Sequence, residues 1–286
     1  MREFKYLDDS VIGALELFEK KKIPVLKKLK FKRPLIIGSG NAVPTEKIIF
    51  DDYDAIFADE SDYVHKIEKI KAIDGAVLIS ASGEKHAPII AKELKRRGLK
   101  LILISCNNNA SAKKFADNFI LFPKNDEIYS YNVSTYLGMI LSKTKENPKR
   151  IREFLRKSDK KINIGYGKYD SFFILVPNEF GLIKDMFVKK FGELFGARIS
   201  VRVFTPEQAK NGELIVPYDK ELFIGLGYRN KMFGKNRLNV EIPDGADYGF
   251  MLCLGYYIIG KIQRQNSNYF GENIERYAKN LPKSFG

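Results

Sequence analysis

The sequence predicts an α/β protein made of two parallel-sheet domains in tandem, the second smaller than the first. Three observations carry that reading. Short, continuous apolar runs recur along the chain, as strands do when both faces of their sheet are covered. Helical patterns separate them, the alternation that gives a parallel sheet with right-handed crossovers. The alternation stops in a charge-rich stretch, Thr144–Lys161, and then restarts.

The elements follow in order. Residues 1–30 read as helical, with Val11, Leu15, Leu17, Phe18, Val25, Leu26 and Leu29 as apolar positions. Pro34–Ile37, Ala55–Ala58, Ala76–Ile79, Leu99–Ile104 and Phe119–Phe122 are the strands of the first domain. Helical patterns fall near 44–49, 62–72, 86–97 and 110–116, and a longer one over 127–144 closes the unit. After the charged stretch come strand Phe172–Val176, helix 180–195, strand Arg198–Phe204, a short helix 206–212 and strand Leu222–Leu226. A short strand, Asn239–Ile242, and a long helix, 246–264, complete the pattern. The expected organisation is an N-terminal helical segment at 1–30, domains at 31–145 and 160–264, and a polar tail at 265–286 that must dock to be ordered.

Composition narrows the function classes. The hydrophobic fraction of 44% supports real cores, and no apolar run reaches membrane-spanning length. The first residues lack the apolar stretch of a secretory signal, so a cytoplasmic protein is expected. Cys106 and Cys253 have no paired spacing, and the only histidines are His65 and His86; neither a disulfide framework nor a metal site is expected. Lys and Arg outnumber Asp and Glu by 49 to 35, but the basic residues are dispersed and punctuate helices. Solvated faces explain them better than a nucleic-acid surface, and no nucleic-acid motif accompanies them.

Two strand ends carry chemistry: Gly38-Ser39-Gly40-Asn41-Ala42, and Ser80-Ala81-Ser82-Gly83-Glu84-Lys85. Glycine lets backbone approach a ligand, serine hydroxyls are neutral donors, and the N–H groups of a following helix favour an anion. In an open parallel sheet, ligands bind beyond the carboxyl ends of the strands. The first turn alone reads more readily as a plain strand–helix connection, and the second reads equally well as a turn with an N-cap. The third glycine of a dinucleotide fingerprint is absent, and so is the glycine-lysine-hydroxyl grouping of a P-loop.

The order of these turns resembles the sugar isomerase (SIS) domain family. That family has a glycine-serine turn after its first strand and a Ser-x-Ser-Gly-Glu-Thr turn after a middle strand. A strand ending in Thr/Ser-Asn follows, then a Glu leading into a Ser-Thr helix. The counterparts here are Gly38–Ala42, Ser80–Lys85, Ser105-Cys106-Asn107 with Ser111, and Glu127 with Ser134-Thr135. The second half is similar to the second domain of the isomerase unit of glucosamine-6-phosphate synthase and of fructosamine-6-phosphate deglycases. Lys190-Phe-Gly-Glu193, Glu207-Gln-Ala-Lys210-Asn211-Gly212 and Lys279-Asn280-Leu281-Pro282-Lys283-Ser284 carry that likeness. It implies two flavodoxin-like, three-layer αβα domains, the second truncated: after Leu222–Leu226 a basic loop (Arg229, Lys231, Lys235, Arg237) stands where the family has a helix and a strand.

The resemblance also implies roles. Ser80, Ser82 and Gly83 would hold a sugar phosphate, with Gly40, Asn41, Lys85 and Glu127 around it. Glu193 would be the base that moves a proton between C1 and C2 of an open-chain sugar, and Lys283 in a closing tail would assist at the carbonyl. The ring-opening histidine of the family falls on Asn211, which hydrogen-bonds but does not shuttle protons near neutrality. The expected protein is therefore a phosphosugar isomerase, or a deglycase acting on a phosphorylated sugar–amine adduct. The alternative is a non-catalytic sugar-phosphate sensor. The resemblance implies a homodimer and no cofactor.

Overall fold

A computed structural model of the chain describes residues 5–128 and 130–280. Helix α1 (Leu7–Lys20) is followed by an irregular strap, 21–33. Then come β1 (Pro34–Gly38), α2 (Ala42–Ile49), β2 (Ile56–Asp59), α3 (Tyr63–Lys69), β3 (Gly75–Ile79), α4 (His86–Arg96), β4 (Leu101–Ser105) and β5 (Asn118–Leu121). Helices α5 (Val133–Thr144) and α6 (Pro148–Ile162) lead to β6 (Ser171–Leu175), α7 (Lys184–Phe195), β7 (Ser200–Phe204), α8 (Pro206–Ala209), β8 (Glu221–Leu226), β9 (Asn236–Val240), α9 (Tyr248–Arg264) and α10 (Tyr269–Asn280).

Both sheets are parallel throughout, with orders β2-β1-β3-β4-β5 and β7-β6-β8-β9. The two compact units take their residues differently from the expected boundaries. One comprises 20–125 and 134–145; the other comprises 5–19, 126–133 and 146–280. Helix α1 is thus part of the second unit rather than a separate segment. The Leu7 amide donates to Gln263 Oε1 at 3.0 Å, and Arg264 pairs with Asp8 at 2.8 Å.

In the first unit, β1, β3 and β4 supply Leu35, Ile37, Ala76, Leu78, Leu101 and Leu103 to one face, where α3 and α4 cover them. Alternate residues of the same strands serve the opposite face. In the second unit, Phe173 and Phe223 stack at 4.9 Å inside a cluster with Leu175, Ala209 and Phe233.

Three expectations are corrected, and the docking of the tail is seen. The N-terminal helix ends at Lys20 instead of running to 30, because Pro24 supplies no N–H and Lys20, Lys21 and Lys22 crowd like charge at that end. The helix expected over 127–144 begins only at Val133, after a loop in which Ser130 (φ 72°) and Asn132 (φ 47°) are left-handed. The last strand lies at Asn236–Val240 rather than Asn239–Ile242. The polar tail is helical over Tyr269–Asn280, and it docks through Phe270, stacked on Tyr131 at 5.2 Å.

The truncation of the second sheet is real. Only residues 227–235 connect β8 to its parallel neighbour β9. Parallel strands ordinarily need a crossover of a dozen residues or more. Here Asn230 ties the short return together. Its Oδ1 accepts from the amides of Met232 and Phe233, and its Nδ2 donates to the Phe233 carbonyl at 2.9 Å. Phe233 then fills the core face that a helix would otherwise cover. Arg237 donates to the carbonyls of Lys231, Phe233 and Gly234, so this basic residue serves the loop.

Candidate functional site

The Ser80–Glu84 turn leaves β3 at its carboxyl end. Three successive carbonyls of the turn are taken up by the segment after β4. The Cys106 amide and Ser105 Oγ donate to the Ala81 carbonyl, Asn107 Nδ2 to Ser82 at 2.9 Å, and the Ala112 amide to Gly83 at 3.1 Å. Their negative ends are thereby turned away from the mouth of the turn. Ser80 Oγ accepts from the Gly83 amide at 3.1 Å, and Ser82 Oγ accepts from the Glu84 amide at 3.2 Å. Each hydroxyl still carries its own hydrogen to give to an oxygen anion.

Gly83 is required here. Its φ is +67°, and a Cβ would sit 2.3 Å from Ala110 Cβ. Glu84 anchors the far side by accepting from the Ser111 amide at 2.8 Å; the Ser111 hydroxyl first, and then that amide, hold its carboxyl below the ordinary range. The motifs at 80–85 and 105–111 are thus one structure. Lys85, exposed and left-handed at φ 56°, precedes α4, which opens at His86. His65 is exposed on α3.

The 38–42 turn lies beside it, because Ile37 pairs with Leu78 in the sheet. Gly40 has φ +59° and is exposed. Asn41 is buried, and its side-chain oxygen has no hydrogen-bond partner among the described residues. Beneath it is a residue that sequence reasoning missed. Glu46 is fully buried, neither carboxyl oxygen has a hydrogen-bond partner among the described residues, and a Cβ on Gly38 would meet Oε2 at 2.6 Å. Burial pushes its pKa up to about 10, so it is a neutral acid at physiological pH. Glu46 follows the glycine turn in the first turns of α2 and reads in sequence as an ordinary solvent-facing helix residue.

In the second unit the candidate base, Glu193, stands in the last turn of α7, which Gly196 terminates at φ +56°. Lys190, one turn earlier, has no exposed surface. Its ammonium donates to Glu193 Oε2 at 2.5 Å and to the carbonyls of Ser130 and Tyr131 at 2.7 and 3.2 Å. Burial lowers the Lys190 pKa while the Glu193 carboxylate opposes that shift. The left-handed loop at 130–132 is what aims those carbonyls at the ammonium. Glu127, in the same loop, accepts from the Val133 amide at 2.6 Å. The sequence supplied Lys190 only as half of a motif; its complete burial and its bond to Glu193 come from the fold.

Glu193 lines a cavity of about 730 Å³ with Arg198 and residues of α10. Asn211 is placed elsewhere. It follows α8, beyond the carboxyl end of β7, whereas Glu193 precedes the start of the same strand. The chain therefore does not bring Asn211 to Glu193. Lys283 lies outside the described residues, with the rest of the motif from Leu281 onward. Among the described residues no helix is long and apolar enough to cross a membrane.

Two such parallel-sheet units, the first with serine turns at its strand ends, define the class of fold as SIS-like. Within it, the chain is similar to glucosamine-6-phosphate deaminase from Thermotoga maritima, with a TM-score of 0.67 and 17% identity over 91% of this chain and 92% of that one. The C-terminal domain of glucosamine-fructose-6-phosphate aminotransferase from Francisella tularensis gives 0.61 and 14%, over 91% and 92%. Tagatose-6-phosphate ketose/aldose isomerase from Escherichia coli gives 0.62 and 13%, over 91% and 86%. At these identities the likeness is one of fold. No protein-family model and no curated protein matches the sequence.

Proposed function

We propose that this protein binds a phosphorylated sugar through Ser80, Ser82 and Gly83 and moves a proton between its C1 and C2 through Glu193. The substrate is a ketose or aldose 6-phosphate, or its amine adduct; the reaction is isomerisation or deglycation. The observation that carries the reading is the Lys190–Glu193 pair. A lysine without exposed surface, ion-paired at 2.5 Å to a carboxylate that lines an open cavity, is a costly arrangement for stability alone. The names of the structural neighbours, a deaminase and an isomerase of sugar phosphates, support it.

Gly40, Asn41 and Lys85 border the phosphate in this reading, and Lys283 assists at the carbonyl. Asn211 lies at the opposite end of β7 from Glu193. If it acts on the same substrate it comes from a second copy, and the homodimer implied by the resemblance is part of the proposal. Asparagine at that position also favours a second reading, a sensor that binds sugar phosphate without turning it over.

The test is Glu193→Gln against a panel of hexose phosphates and fructosamine phosphates. Retained binding with turnover reduced at least a hundredfold supports the base. A wild-type protein that binds the panel and turns over none of it supports the sensor. A wild-type protein that binds none of it removes both.

A further inference from the structure

The first unit carries a second cavity, of about 730 Å³, whose lining includes no residue of the serine turns. Its floor is the face of β4 and β5 opposite the main core: Ile102, Ile104 and Ile120, with Ile104 and Ile120 paired across the strands. Its roof is the 21–33 strap, through Leu26, Leu29 and Phe31. Regular structure does not hold that strap. Single bonds do: the Leu26 amide to Ser142 Oγ, the Leu29 amide to the Tyr53 hydroxyl, and the Lys32 and Arg33 amides to Asp74.

Lysines outnumber carboxylates in the cavity lining by four to two. The lysines are Lys27, Lys28, Lys30 and Lys100. The two carboxylates in the lining are already committed to backbone. Asp74 holds the strap, and Asp117 accepts from the Leu101 amide at 2.7 Å. Lys28 acts electrostatically on Asp52, whereas Lys27, Lys30 and Lys100 make no ion pair among the described residues. An apolar chamber ringed by these ammonium groups matches an apolar body with an anionic head. A second copy of this chain is a poor occupant, because docking face to face would bring two sets of these lysines together.

We propose that this cavity binds a small amphiphilic anion, a medium-chain carboxylate. The chain lies on the isoleucine floor and the head group lies among Lys27, Lys30 and Lys100. This proposal is independent of the sugar-phosphate reading.

The experiment is calorimetric titration of the full chain with decanoate, below its micelle concentration, and with decanol. Decanoate is expected to bind once per chain and at least fivefold tighter than decanol, with an affinity that falls as salt rises. The variant Lys27→Gln/Lys30→Gln/Lys100→Gln alters only exposed positions and should fold. It is expected to bring decanoate down to the decanol affinity and leave decanol unchanged. Ile102→Glu is expected to abolish both. Absent decanoate binding overturns the proposal, as does equal binding by the lysine variant. So does a concentration-dependent dimer, seen by sedimentation, that Ile102→Glu dissociates.

Discussion

At the scale of single residues, two buried ionisable groups are the most informative. Glu46 is held neutral by burial, with a folded pKa of about 10 against 4.5 for the ordinary carboxyl. Between those values the folded chain holds a proton that the unfolded chain has released, so stability falls as pH rises through that window. Glu46→Gln removes this dependence. From pH 4.5 to pH 7 the stability difference should shift by about 3 kcal/mol in favour of the variant, measured by urea unfolding at each pH. Lys190 behaves oppositely to substitution. Lys190→Met would leave Glu193 and the Ser130 and Tyr131 carbonyls without their common donor. A loss of about 3 kcal/mol is expected, with turnover reduced at least tenfold. Neither residue could be ranked from sequence, because burial, not residue type, gives each its role.

At the scale of elements, the phosphate turn and the short β8–β9 return make separate predictions. Gly83→Ala forces a Cβ into Ala110 at a backbone angle that favours glycine. It should weaken sugar-phosphate binding more than tenfold and cost about 2 kcal/mol of stability, read by titration and by chemical unfolding. Asn230→Ala removes the bonds that close the 227–235 loop and expose Phe233 to rearrangement. About 2 kcal/mol of destabilisation is expected, with sugar-phosphate binding unchanged.

Most strands were legible because each is a compact apolar run, and Ser80–Gly83 stood out by composition. The strap at 21–33 was not legible. Val25, Leu26 and Leu29 have helical spacing, but side-chain bonds from Ser142 and Tyr53 hold their backbone in an irregular path. The loop at 127–132 was read as helix for a similar reason. Its left-handed residues, Ser130 and Asn132, flank Tyr131, and the carbonyls of Ser130 and Tyr131 accept from the buried Lys190, a contact made across about sixty positions of sequence.

At the scale of the whole molecule, ligand binding should appear as stability. A sugar phosphate at a hundred times its Kd adds about 2.7 kcal/mol, or roughly 5 °C in Tm for a chain of this size. The shift should vanish in the doubly substituted Ser80→Ala/Ser82→Ala protein and persist in Glu193→Gln, by scanning calorimetry. The fold class and the placing of the Ser80–Glu84 turn at a strand end were readable in the chain; the membership of its units was not. Helix α1 sits first in sequence but bonds to α9, through Leu7 with Gln263 and Asp8 with Arg264. No local pattern encodes a pairing across that distance.

The sealed ammonium of Lys190 has a consequence for chemical labelling. Most lysines of this chain stand in water and will acylate at once with an amine-reactive ester. Lys190 has no surface to present, and its hydrogens are committed to two carbonyls and a carboxylate. It should be among the last amines to react, and its rate of labelling, followed by mass spectrometry, becomes a clock for how often the 127–133 loop lets go.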